Sequence, residues 1–126
     1  MSGKLSDLKL YQLASAAQEL TESAAGQFPP FEGLALSIQL KKTANAALAH
    51  ITEAFGRHNA EDRISLLRLA EDSIHKVIKS LNASQRANLC GLVECEKLAE
   101  DWASVNAEIV SYIVYLESGG QMEAPL

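Results

Sequence analysis

Three histidines, two cysteines and a scatter of carboxylates are the side chains here that could hold a metal, and their spacing decides how far that chemistry goes. Asp72-x-x-His75 has the i, i+3 order used by carboxylate-bridged di-metal helix bundles, and His50-x-x-Glu53 has the order reversed. Glu19 or Glu22 from an earlier segment and Glu94 or Glu100 from a later one would complete a ligand set. Such a centre needs two Glu-x-x-His pairs in the right order; this chain has one, and it begins with Asp. The expectation is no metal and no cofactor.

Acid–base chemistry has one candidate pair. Arg68 and His75 fit the spacing of the arginine and histidine in metal-independent, all-helical ribonucleases of the HEPN type. A polar residue follows the arginine in that class, whereas Leu69 follows it here. Arg68 also has a simpler use, pairing with Glu71 or Asp72 three or four residues on along a solvated helix face. Proton transfer needs geometry that spacing cannot supply. The non-enzymatic reading is therefore preferred, with a ribonuclease using Arg68 and His75 as the alternative. Ser, Cys and His form no nucleophile–base set, and there is no glycine-rich phosphate loop.

Binding chemistry centres on basic residues. Lys41, Lys42, Arg57 and His58 lie along and just beyond one segment, with Lys76, Lys79 and Arg86 elsewhere. Lys41, Lys42, Arg57 and His58 are the candidate partner-binding residues. Adjacent helical residues point about 100° apart, so Lys41 and Lys42 do not form one row, and an ordinary solvated face is the competing reading. Glu53 and Arg57 form an i, i+4 pair in the preferred orientation, expected to cap a helix end and order the following turn. Cys90 and Cys95, placed on one helix, would sit about 140° apart around its axis. That separation predicts two reduced, partly buried thiols in a cytosolic protein.

The elements that must position these groups are helices. At 126 residues, 48% hydrophobic and only 6% aromatic, the chain suits a single domain cored by Leu, Ile, Val and Ala. Its net charge of −5 argues against nonspecific nucleic-acid binding by the whole surface. Ser6 followed by Asp7 reads as the opening of a first helix, with Leu10, Leu13, Ala17, Leu20 and Ala24 as its stripe. Phe28-Pro29-Pro30 breaks it. A second helix from about Phe31 to Phe55 carries Leu36, Leu40, Ala44, Ala47, Ile51 and Ala54, and Gly56 can take a left-handed cap. Asn59 caps a third, with Asp62 three residues on and a stripe of Ile64, Leu67, Ala70, Ile74, Val77 and Leu81. Asn82-Ala83-Ser84 reads as a turn into a fourth helix whose stripe runs from Leu92 through Trp102 to Leu116, with Gly91 marking a bend or break. Four helices on short joints predict an all-α, antiparallel up-down four-helix bundle over residues 1–118, followed by a mobile tail over 119–126. No signal-peptide region or membrane span is legible, so the reading is a soluble cytoplasmic protein.

Several of these residues also carry a family resemblance. Asp7-Leu8 with Tyr11-Gln12, the Phe28-Pro29-Pro30-Phe31-Glu32 joint, and Gln39, Leu40, Lys41, Lys42, Ala49, Ile51, Glu53, Phe55, Gly56 and Arg57 follow in gapless order, with Ala70 and Ser73 further on. The run resembles the 23S rRNA intervening-sequence proteins. Leu48, His50, Ala54, Asp72 and Lys76 stand where that family usually has proline, asparagine, glycine, glycine and glutamate. Losing the proline should straighten the second helix. The resemblance implies four-helix bundles assembled as pentamers, mostly without assigned activity. It also implies kinship with a strongly basic accessory protein of diversity-generating retroelements, whose charge this chain lacks. Apolar residues beyond one stripe per helix (Leu8 and Tyr11, Leu34 and Ile38, Leu66 and Leu69, Tyr112 and Tyr115) independently predict a homo-oligomer. A ring would repeat Lys41, Lys42 or Arg57 around a rim able to meet a protein or nucleic-acid partner.

Overall fold

The computed structural model describes residues 8–122, all of whose regular structure is helical. The Ser6–Asp7 opening and the last residues of the tail fall outside that range. In order come α1 (Lys9–Gly26), α2 (Leu34–Phe55), α3 (Ala60–Arg86) and α4 (Leu92–Glu117). Each helix packs on the next, and α4 closes back on α1. Neighbours run in opposite directions: Gln18 meets Asn45 and Ala25 meets Ser37 across α1–α2, while Lys9 meets Glu108 and Thr21 meets Trp102 across α1–α4. The expected up-down bundle is the fold.

The core is the set of stripes brought face to face. Leu40, Ala44, Ala47, Ile51 and Ala54 of α2, Leu67, Ala70, Ile74 and Val77 of α3, and Trp102, Val105 and Ile109 of α4 have no exposed surface. Alanine recurs along α2, where its small side chain lets neighbouring helices approach closely. α2 runs unbroken past Leu48, where no proline removes an amide donor. Ile74→Ala is expected to cost about 2–5 kcal/mol in urea unfolding, the lost transfer energy plus a cavity. A change below about half a kcal/mol would contradict this packing.

In several places the structure departs from the sequence reading. The predicted α1 stripe is the buried face only in part. Leu10, Ala14, Ala17, Thr21 and Ala24 face inward, whereas Leu20 is exposed and Leu13 half-buried. The inward polar residue is satisfied, because the Thr21 hydroxyl accepts a 2.8 Å hydrogen bond from the Trp102 indole. α2 begins at Leu34 rather than near Phe31, after a turn in which the Gly33 amide donates to the Pro29 carbonyl. A side chain at Gly33 would stand 2.7 Å from Phe28 Cβ, so the turn needs glycine.

Asn82, Ala83 and Ser84 are not a turn; they are the penultimate turn of α3. Leu81 and Ser84 continue its buried face, and the Ser84 hydroxyl satisfies itself on the Ser80 carbonyl at 2.7 Å. The break comes at Asn88, in the left-handed region at φ 59°, with the Leu89 amide reaching back to Ser84 O and the Asn88 amide to Gln85 O. That is a Schellman cap with asparagine in place of glycine. α4 ends the same way on Gly119 at φ 85°. Gly56, by contrast, keeps a right-handed φ of −87°.

The α3–α4 joint also overturns the cysteine assignment. Gly91 is the N-cap of α4, so Cys90 lies in the joint and only Cys95 lies on the helix. The 140° argument required both on one helix. With Cα atoms 6.0 Å apart, Cys90 and Cys95 form a disulfide. The thiol-based argument for a cytoplasmic location falls with it.

Candidate functional site

Among the described residues no three His, Cys, Asp or Glu side chains gather to hold a metal ion. Asp72 and His75 sit on the exposed side of α3 and Glu19, Glu94 and Glu100 are exposed on other helices, while Glu22 accepts the Gln18 amide at 2.7 Å. His50 is half-buried on α2, its Nδ1 enclosed without a hydrogen-bond partner. Arg68 is held by two carboxylates, Glu71 at 3.7 Å and Glu117 at 3.3 Å. The Glu71 pair matches the solvated-face reading; the long-range tie to Glu117 on α4 was not legible. Nothing brings His75 onto Arg68, from which it is separated by roughly 10 Å of helix rise.

The candidate basic residues are not one patch within a chain. Lys41 lies against the end of α1, its Nζ 4.0 Å from where a Gly26 Cβ would stand, where a cation meets the negative end of that helix. Lys42 is exposed. Arg57 and His58 are exposed on the α2–α3 joint, roughly 22 Å further along α2 by helix rise. Arg57 shares a shallow groove with Asp62, Ser65 and Leu66.

No ion pair joins Arg57 to Glu53. The capping role expected of that pair belongs to Arg63, which has no exposed surface. Its guanidinium donates to the carbonyls of Phe55 at 3.4 Å and Arg57 at 3.1 Å, and to the Tyr112 hydroxyl at 2.8 Å. It also lies 5.0 Å from the centre of the Phe55 ring, which in turn contacts Tyr112. One planar cation thus ends α2 and ties it to α3 and α4, which is why Gly56 need not adopt a left-handed cap. The signal for this was present: stepping back four from Leu67 along the α3 stripe lands on Arg63, not Ile64.

A groove that spacing along the chain does not announce lies between α2 and α3. Leu36 and Gln39 form one wall and Lys76, Lys79, Ser80 and Ala83 the other, enclosing about 350 Å³. It sits beside neither Arg57 nor His58.

The remaining distinctive surface is apolar. Ala103, Ala107, Val110 and Val114 form an exposed stripe on α4, with Val110 43% and Val114 55% accessible. Leu34 and Ile38 on α2 are 55% and 56% accessible, beside a nearly bare Phe31, and Leu20 on α1 and Leu69 on α3 are exposed too. Of the predicted surplus, Leu34, Ile38, Leu69 and Tyr115 are exposed, while Leu8, Tyr11, Leu66 and Tyr112 are half-buried by the bundle itself. No described helix is long and apolar enough to cross a membrane.

The described residues form an antiparallel four-helix bundle with a packed core and exposed apolar stripes on its helices. The chain matches the 23S rRNA-intervening sequence protein family over residues 6–111, most of its length, and belongs to that family. Among curated proteins, no sequence matches it.

Proposed function

We propose that the protein is a non-enzymatic, self-assembling helical scaffold that presents its outer surface to a partner. The observation that carries this reading is the α4 stripe of Ala103, Ala107, Val110 and Val114, exposed at helical spacing on a helix whose other face is already buried in the core. An apolar stripe repeated along a solvated helix face is the kind of surface that self-association covers. A closed ring of identical copies hides such stripes, and the pentamer suggested by family resemblance is the form we favour. Around a ring, Lys41 and Lys42, or Arg57 and His58, recur once per subunit. That repetition would give a net acidic chain a local basic rim for a protein or nucleic-acid partner. The cytoplasmic location belongs to this proposal as well.

The test is a pair of charges. Val110→Asp with Val114→Asp places two carboxylates on side chains that the lone bundle leaves in solvent, so the helical circular dichroism should stay unchanged. The mass in solution should fall from that of the unsubstituted assembly to the 13.6 kDa of one chain. An unaltered oligomeric mass would remove α4 from the assembly face.

A further inference from the structure

Most polar side chains in the other described grooves are already answered. In one, the Asp62 carboxylate accepts from Asn59 Nδ2 at 3.1 Å, and in another Lys9 is paired to Glu108 at 3.1 Å. The α2–α3 groove is different. Its polar lining is Gln39, Lys76, Lys79 and Ser80, with no carboxylate among the lining residues. Neither lysine makes an ion pair, and the side chains of Gln39 and Ser80 make no hydrogen bond within the fold. Asp72 stands four residues before Lys76 in the orientation that favours a helical salt bridge, yet the two are not paired. Lys76 and Lys79, three apart on α3, rise from the same side of the helix. Two ammonium groups, an amide and a hydroxyl thus converge on one concavity as uncommitted donors.

Donors without acceptors select an anion, and paired lysines are suited to the compact multiple charge of a phosphate. The rest of the lining is apolar, from Leu36 and Ala83. A few convergent polar groups beside apolar wall, in a space of this size, describe a small-molecule site. A long polyanion would need a basic track beyond the groove, and the chain's net charge of −5 opposes it.

We propose that this groove binds a small phosphate monoester, its dianionic head between Lys76 and Lys79 and its organic body along Leu36 and Ala83. The site lies within one chain and does not depend on the assembly proposed above.

Amide NMR titration of the full chain with phenyl phosphate, inorganic phosphate and a short oligouridylate tests it. Phenyl phosphate should bind with a Kd on the order of 0.1–1 mM, shifting amides at Gln39, Lys76, Lys79 and Ser80, and about tenfold tighter than inorganic phosphate. Lys76→Gln and Lys79→Gln should each weaken it about tenfold or more. Both residues are exposed, so neither change threatens the fold. Lys97→Gln, at an exposed lysine paired to Asp101, should leave the affinity unchanged. Equal affinity for inorganic phosphate and the ester would overturn the ester assignment. Tighter binding of oligouridylate than of phenyl phosphate would replace the small ligand by a nucleic-acid backbone. Shifts spread over unrelated lysines, or affinity indifferent to both substitutions, would abolish the site.

Discussion

Arg63→Ala is expected to destabilise the folded protein by about 3–5 kcal/mol, among the largest losses any single substitution here should cause. The guanidinium has no exposed surface, and its hydrogen bonds end on the carbonyls of Phe55 and Arg57 and the hydroxyl of Tyr112. Truncation leaves those acceptors without their donor, the Phe55 carbonyl in a fully buried place, and opens a cavity beside the Phe55 ring. Arg63→Lys should recover only part of the loss. An ammonium can reach some of these acceptors but cannot reproduce a planar fork stacked on an aromatic face. Urea unfolding at fixed protein concentration measures this, since self-association would otherwise move the midpoint. A loss below about 1 kcal/mol for Arg63→Ala would show that the α2–α3 joint is held by something else.

Trp102→Ala should cost a comparable amount, about 3–5 kcal/mol, because it empties the largest fully buried side-chain site in the bundle. Trp102→Phe separates packing from polarity. The ring volume is largely kept, but the buried Thr21 hydroxyl loses the indole N–H that it accepts at 2.8 Å. That loss should be about 1–3 kcal/mol. Adding Thr21→Val removes the stranded hydroxyl, so the double variant should be no less stable than Trp102→Phe alone. Additive losses in the double variant would mean that the hydrogen bond does not couple α1 to α4.

How much of this was legible follows from which residues announce themselves. α2 and the later part of α4 were read in the right phase, because Leu40, Ile51, Trp102 and Ile109 are large apolar side chains repeating at helical spacing. α1 is legible only in part: Leu10, Ala17 and Ala24 of its stripe are buried and Leu13 packs on the core, but Leu20 is exposed, and the small or polar Ala14 and Thr21 of the inner face do not announce themselves. The α3–α4 boundary was misplaced because Asn82, Ala83 and Ser84 look like a turn in isolation. Tertiary burial of Leu81 and Ser84 overrides that local preference, and Asn88 accepts the left-handed position usually left to glycine. The Asn59–Asp62 cap needed no tertiary information, and there the structure agrees: the Asp62 amide donates to Asn59 Oδ1 at 2.8 Å.

The functional surfaces were harder to read. Arg63 was passed over because a charged residue in a core stripe is recognisable only once the stripe's phase is fixed. Lys41 and Lys42 attract notice as a doublet, yet the lysines that face a groove are Lys76 and Lys79. Their wall partner Gln39 comes from another helix, a juxtaposition that spacing along one helix does not encode. The same holds for Cys90 and Cys95, whose pairing depends on a helix break between them. Exposed apolar stripes are intermediate. Leu34, Ile38, Leu69 and Tyr115 stood out as surplus, whereas Val110 and Val114 passed as ordinary residues of a helix already rich in valine and isoleucine.

The claim that organises these observations is that the bundle is a subunit. Sedimentation velocity of the unmodified protein across low to high micromolar concentration tests it most directly. The account predicts a closed species near five times the 13.6 kDa chain mass, unchanged over that range. A single species at 13.6 kDa throughout would contradict it and leave the α4 stripe without an occupant.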